Sequence, residues 1–303
     1  MPEVDLDPVQ LADRTYDFYR AYDLDFVKVM SNGMYSIEDF GCVIDTSEVV
    51  QGGVARLVQG PIAKVEDWDH IYPVDVNRGA LRRELCCLER LLYKMDGHAP
   101  VVATVFSPLT IADKLSGGLL REHLKGEDAA PVGRALEALS ETMARFTERI
   151  MAIGADGIFF ATQLATRNLL SEEQYRAYGV PWDLKVLEAA AGGWFNILHV
   201  HGENILFSVL RDYPVHCINW HIWETAPDLT QARVETDKCL MGGMVRGHIT
   251  DRVLPAITED IRRTRGQMEG YGYILAPGCG IRHPVDPQTL DYVGRSIRGG
   301  IGE

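Results

Sequence analysis

The sequence predicts a single α/β domain of the (β/α)8 barrel class, and three observations carry that expectation. Short apolar runs alternate with longer amphipathic segments along the chain, as parallel strands joined by crossover helices require. The length of 303 residues is ordinary for one such barrel. No G-x-G-x-x-G follows a first strand and no P-loop is present, so a nucleotide-binding open sheet has no support.

The elements read in order as follows. A polar lead-in precedes a helix over Pro8 to Tyr22. Strand-like runs follow at Phe26 to Met30, Val101 to Phe106, Gly157 to Ala161, Phe195 to Val200, Val215 to Asn219, Leu240 to Val245 and Tyr273 to Ala276. Helical patterns cover Leu81 to Met95, Val132 to Ile153, Glu172 to Ala190 and Leu254 to Glu269. Gly97 and Gly154 supply stop signals for the first two of these helices. Cys42 to Ile62 reads as a β-hairpin excursion turning at Gln51-Gly52-Gly53. The runs make seven barrel strands, not eight, so the first N-terminal strand is expected to be missing from a single domain spanning 1–303.

Composition narrows the function classes. The 46% hydrophobic content suffices for a sizeable core. A net charge of −13 and a pI near 5.2 argue against binding nucleic acid or an anionic membrane, both of which would repel the chain. No apolar run is long enough to span a bilayer. The acidic start, Met1-Pro2-Glu3-Val4-Asp5, has no signal-peptide pattern, so a cytoplasmic location is expected. Six scattered cysteines do not form a disulfide framework.

The candidate chemistry lies in Leu198-His199-Val200-His201-Gly202-Glu203-Asn204 and Ala276-Pro277-Gly278-Cys279-Gly280. Residues i and i+2 of a strand point to the same side, so His199 and His201 can share one target. Cys279, at another strand end, completes a set of two imidazoles and a thiolate, which suits zinc and leaves a fourth position open. The competing reading is a pair of hydrogen-bonded core histidines. Gln163, just past a strand, is a candidate substrate contact. His221, at another strand end, is a candidate acid–base or hydrogen-bonding group. Arg246 and His248 suit an anionic substrate group, and His283 is a rival ligand. Asp156 reads as a turn residue. Glu203 falls off the shared face.

Several segments together resemble the uroporphyrinogen decarboxylase superfamily, which includes zinc methyltransferases that act with methylated corrinoids. They are Tyr22-Asp23-Leu24-Asp25-Phe26-Val27-Lys28-Val29, Phe106-Ser107-Pro108-Leu109-Thr110, Gly154-Ala155-Asp156-Gly157-Ile158, His199 to Asn204, and Ile274 to Gly280. The resemblance implies a (β/α)8 barrel with its site at the C-terminal strand ends. It departs from the decarboxylases at Met30-Ser31-Asn32, where Asn32 stands in place of a catalytic Asp. An amide cannot carry the charge that would stabilise a protonated pyrrole. The methyltransferase branch has a His-x-Cys pair and a distant Cys; His199 and Cys279 match its ends and His201 replaces the middle Cys. That exchange leaves zinc with one net positive charge instead of none, which favours ionisation of a bound thiol but lowers the thiolate's nucleophilicity.

The resemblance thus implies a zinc-dependent methyltransferase that moves a methyl group between a corrinoid and a small thiol or methylated donor. Zinc sits at His199, His201 and Cys279; Asn32, Gln163 and His221 shape the pocket. The corrinoid arrives on a partner protein or free, and a homodimer is expected from the family. The alternatives are a porphyrinogen decarboxylase-type lyase and a non-catalytic barrel partner subunit.

Overall fold

The computed structural model describes residues 2–126, 129–268 and 270–299. The first apolar run forms β1 (Val27–Lys28). The excursion forms the antiparallel pair β2 (Val43–Asp45) and β3 (Arg56–Gln59). The remaining runs form β4 (Val101–Phe106), β5 (Gly157–Thr162), β6 (Ile197–Val200), β7 (Cys217–Trp220), β8 (Cys239–Met244) and β9 (Tyr273–Pro277).

Seven of these strands make one sheet in the order β1-β4-β5-β6-β7-β8-β9, every neighbouring pair parallel. The expected strand count is therefore what forms among the described residues. All six residues of β4 and all six of β5 are buried, the near-continuous apolar reading of a parallel strand covered on both faces. The sheet curls. Among the described residues the outer edges of β1 and β9 have no strand partner, yet Val27 and Leu275 line one cavity of about 390 Å³ together with Phe18 and Ile297 of two covering helices.

Helices pack outside the sheet because each presents one apolar stripe. Gly79–Met95 buries Leu81, Leu85, Leu88 and Leu91, each side chain contributing about 1.5–3 kcal/mol relative to exposure. It ends at Asp96 in the left-handed conformation (φ 45°), followed by Gly97 at φ 73°. Ala130–Ile153 ends on Gly154 at φ 106°, as its stop signal requires. Pro8–Tyr22 has the expected bounds, with Asp7 capping Val9 and Gln10.

Two expectations need correction. The helix read over Glu172 to Ala190 is broken at Gly179 into Glu172–Tyr178 and Val180–Glu188. Pro181 lacks an N–H and restricts the residue before it, so it fits the first turn of a new helix better than the middle of a long one. The hairpin does not turn at Gln51-Gly52-Gly53 alone, because residues 46–55 lie between its strands and hold a short 3-10 helix, Val49–Gln51. The helix read to Glu269 is described over Leu254–Met268, and Glu269 lies outside the described residues. No described helix is long and apolar enough to cross a membrane.

Candidate metal centre

The centre is assembled from the C-terminal ends of neighbouring strands. His199 lies in β6 and is 6% exposed. The β5–β6 ladder runs one residue past β6, because His201 N–H donates to Thr162 O at 3.0 Å. Strand alternation therefore reaches residue 201 and keeps both imidazoles on the same side. Gly202 then turns the chain away at φ 96°. The ladder of β9 is likewise extended by Gly278 N–H donating to Met244 O at 3.2 Å, which delivers Cys279 to the same place. One donor atom from each of His199, His201 and Cys279 lies within 4.8 Å of the others. Cys279 Sγ is 3.6 Å from His201 Nδ1. A tetrahedral zinc with bonds of about 2.0–2.3 Å accommodates such donors after small rotations.

The hydrogen bonds around His199 test the fit further. Asn219, opposite His199 in the β6–β7 register, donates through Nδ2 to Met241 O at 3.0 Å. Its Nδ2 also lies 3.4 Å from Pro277 O. Its Oδ1 must therefore accept, and the bond at 2.6 Å comes from His199 Nδ1–H. That fixes the tautomer with a lone pair on Nε2, the arrangement a metal-ligating histidine needs. Phe159 stacks on the same imidazole at 5.2 Å and limits its rotation.

Cys279 and His221 complete the electrostatics. Burial pushes the Cys279 thiol up, but His199, His201 and His221 outweigh it and bring the group to about 2. The sulfur is thus held as thiolate, the form that binds metal. His221 is 6% exposed and its Nδ1 is 3.0 Å from Glu224 Oε2. The nearby thiolate raises the imidazole pKa against the effect of burial, with a smaller contribution from Glu224. Its Nε2 is buried and makes no regular hydrogen bond, and the Cys279 sulfur is the group that acts on this imidazole most strongly. The His201 and His221 rings are 5.3 Å apart.

The other sequence candidates are placed as follows. Gln163 follows β5; its backbone N–H donates to Thr110 Oγ1 at 2.9 Å. Asn32 follows β1 and its Oδ1 accepts from Met34 N–H at 2.9 Å, a local turn contact. His283, the rival ligand, is outside the donor cluster; its carbonyl instead abuts Gly52, where a Cβ would come within 2.3 Å. The hairpin loop thus reaches the segment after Cys279. His248 is held at 2.8 Å by Asp260, which also accepts from Val245 N–H. Asp156 has the expected turn role, accepting from Val101 N–H and Trp194 Nε1–H. Glu203 is exposed.

Sequence reasoning missed Asn219 as the group that orients His199. Its position opposite a ligand becomes apparent only from the register. It also missed the steric role of Gly278, where a Cβ would come within 2.8 Å of His221 Cα and 2.9 Å of Trp220 O. Gly278→Ala must push the Cys279 turn away from β7. We expect zinc affinity to fall about 10–100-fold, as when the support of a ligand is lost. Competition with a chelator measures this, and thermal unfolding checks that the variant remains folded.

The chain is similar to known proteins along most of its length. The family model for uroporphyrinogen decarboxylase (URO-D) matches residues 1–299. The chain is 22% identical over 286 residues to the methylcobamide:CoM methyltransferase MtbA of Methanosarcina acetivorans, spanning 92% of this chain and 81% of that protein. It is 23% identical over 189 residues to the protein of the same name from Methanosarcina mazei, spanning 62% of this chain and 55% of that relative, about half its length. A solved methyltransferase from Methanosarcina mazei superposes with a TM-score of 0.80 at 17% identity, over 98% of this chain and 87% of that one. At that identity the likeness speaks for the fold alone. With the family model matched along nearly its whole length, the chain belongs to the uroporphyrinogen decarboxylase (URO-D) family.

Proposed function

We propose that the protein is a zinc-dependent methyltransferase moving a methyl group between a corrinoid and a small thiol or methylated donor. On this reading the frame is a (β/α)8-type barrel without its first strand. The observation that carries the proposal is the donor trio His199, His201 and Cys279, with Asn219 fixing the His199 tautomer. The methylcobamide:CoM methyltransferases among the relatives supply the reaction class.

Zinc, when bound, supplies Lewis acidity that lowers the pKa of a substrate thiol. His199, His201 and Cys279 hold it there. His221, buried beside the Cys279 sulfur, takes the proton the thiol releases, and Glu224 at 3.0 Å balances the resulting imidazolium. The methyl group leaves cobalt without the bonding electron pair and forms a carbon–sulfur bond. Gln163 and Asn32 border the space in which the methyl group approaches. The corrinoid is a substrate delivered by a partner protein or free.

The test is methyl transfer from methylcobalamin to a series of small thiols by the zinc-loaded protein, followed by cobalamin absorbance. Absence of transfer with every thiol, and of the reverse reaction with methylated thiols, counts against the proposal. Porphyrinogen decarboxylation is expected to be absent, because Asn32 offers an amide whose oxygen is engaged by Met34. Turnover of uroporphyrinogen III above a heat-killed control would overturn that expectation.

A further inference from the structure

The sheet places two thiols side by side at the end remote from the donor trio. Cys217 opens β7 and Cys239 opens β8, and the register sets them directly opposite one another. In-register residues of neighbouring parallel strands point to the same side, and their backbones stand about 4.8 Å apart. That separation falls within the Cα range that a disulfide bridges. Both are free thiols, and each is the neighbour that acts most strongly on the other. Cys217 lies two residues before Asn219 and Cys239 two before Met241. The pair therefore forms the layer next to the Asn219–Met241 contact that orients His199.

The two sulfurs are not equivalent. Cys217 is fully buried, whereas Cys239 is half-buried. The β8–β9 register, continued one residue back from Leu240 and Tyr273, sets Cys239 opposite Gly272, an exposed residue with no side chain to cover the sulfur. A Cβ on Gly272 would come within 3.3 Å of Arg233 Nη2, so the guanidinium fills that place. It is anchored there by donating to Gly272 O at 2.8 Å and Thr236 O at 3.2 Å. The Cys217 thiol, and after it the charge of Arg233, lower the Cys239 pKa against the effect of burial. The same contact, together with burial, raises that of Cys217. One sulfur is thus favoured as thiolate and its neighbour as thiol, the pairing of a reactive dithiol.

We propose that Cys217 and Cys239 are a modification site at which a hydroperoxide closes a reversible disulfide between β7 and β8, and that closing it weakens the metal centre. With hydrogen peroxide, the Cys239 thiolate bonds to one oxygen, the O–O bond breaks, and the departing hydroxide takes a proton from solvent to become water. The Cys217 sulfur then attacks the sulfenic acid on Cys239. An S–S bond forms, the S–O bond breaks, and the hydroxyl leaves with the Cys217 proton as a second water. Two thiols are oxidised and one peroxide is reduced; a thiol reductant reverses the change by exchange. Same-side Cβ atoms on parallel strands stand about one strand spacing apart, wider than the Cβ separation of about 3.8 Å in a relaxed disulfide. The bond therefore draws the strands together and is readily reduced. The neighbouring layer carries that movement to Asn219, which donates to Met241 O and fixes the His199 tautomer. The disulfide stands on the cysteine pair alone; its effect on zinc rests on the metal-centre reading above.

The experiment treats the full chain, with and without zinc, with stoichiometric hydrogen peroxide. Remaining thiols are then alkylated and the protein is digested with trypsin for mass spectrometry. Wild type is expected to give residues 212–233 linked to residues 239–246, and to lose the link on treatment with dithiothreitol. Arg233→Gln, whose first peptide runs to Lys238, should form the bond roughly threefold to tenfold more slowly, because less Cys239 is thiolate. In chelator competition, closing the bond should lower zinc affinity about tenfold, with recovery on reduction. Cys217→Ala cannot close the bond and should show no such reversible loss, which separates the effect from oxidation of Cys279 itself. Absence of the linked pair while other thiols are oxidised overturns the site, and an unchanged rate in Arg233→Gln overturns Cys239 as the sulfur attacked. A linked pair with zinc affinity unchanged, or an equal reversible loss in Cys217→Ala, overturns the effect on the metal centre. A linked pair in a chain that binds no zinc in either state leaves the dithiol as proposed and removes the metal-centre reading instead.

Discussion

Cys279→Ala is expected to weaken zinc binding by on the order of a hundredfold or more. Four-ligand structural zinc sites spread roughly 10–16 kcal/mol over their ligands, so one ligand accounts for about 3 kcal/mol, or two decades in affinity. The loss should exceed that average, because Cys279 is the one anionic member of the trio and its thiol is held far below the usual range. His199→Ala should come close to it. Asn219→Ala touches no metal, yet should cost about 10–100-fold, because it frees the His199 tautomer that the 2.6 Å bond fixes. His201→Cys should retain zinc, since sulfur replaces nitrogen in an accepted ligand set. Chelator competition with metal analysis measures all four. Wild-type protein that binds zinc no more tightly than Cys279→Ala would remove the metal centre.

Asp183→Asn is expected to flatten the dependence of stability on pH. Asp183, in the helix Val180–Glu188, is fully buried, and its Oδ2 accepts from Tyr175 at 2.7 Å and Tyr213 at 2.8 Å. Burial raises its pKa from 3.8 to about 7 against the opposing effect of those two hydroxyls. The folded-state value is above the unfolded one, so folding takes up a proton between these limits. Stability is therefore greatest below about pH 4 on this account, declines as pH rises towards 7, and levels off above the folded pKa. The full shift corresponds to about 4 kcal/mol as an upper figure. Asparagine keeps the acceptor for both tyrosines and carries no charge. It also places an amide N–H₂ where Oδ1 has no partner, which costs about 1–3 kcal/mol. The slope, not the absolute stability, is the diagnostic. Urea unfolding at pH 5.5 and pH 8 should show wild type losing stability relative to the variant as pH rises. Parallel profiles for the two proteins would contradict the account.

Much of the frame was legible because parallel-sheet strands and crossover helices leave strong local signatures. The apolar runs at 101–106 and 157–161 are buried on both faces and could not be mistaken for surface segments. The glycines after Met95 and Ile153 stop their helices for reasons of backbone conformation alone. What failed was also local. The long helix over 172–190 ignored Pro181, and the hairpin turn was placed on a Gly pair of which Gly52 instead closes a 3-10 helix and abuts His283. The clustering of His199, His201 and Cys279 was legible for a different reason: an i, i+2 pair at a strand end has few arrangements, and cysteine in a glycine-rich turn is free to approach.

By itself, then, the sequence determined the α/β class of the fold, the number of parallel strands and which residues cluster as candidate donors, because period, punctuation and donor chemistry are written in neighbouring residues. Only the tertiary structure decided how those donors are tuned. The register that sets Asn219 opposite His199 depends on two strands meeting. So do the close packing of Gly278 on β7 and the stack of Phe159 on His199. Each joins residues far apart in the chain, and their contact energies depend on distance in space, which no local pattern records.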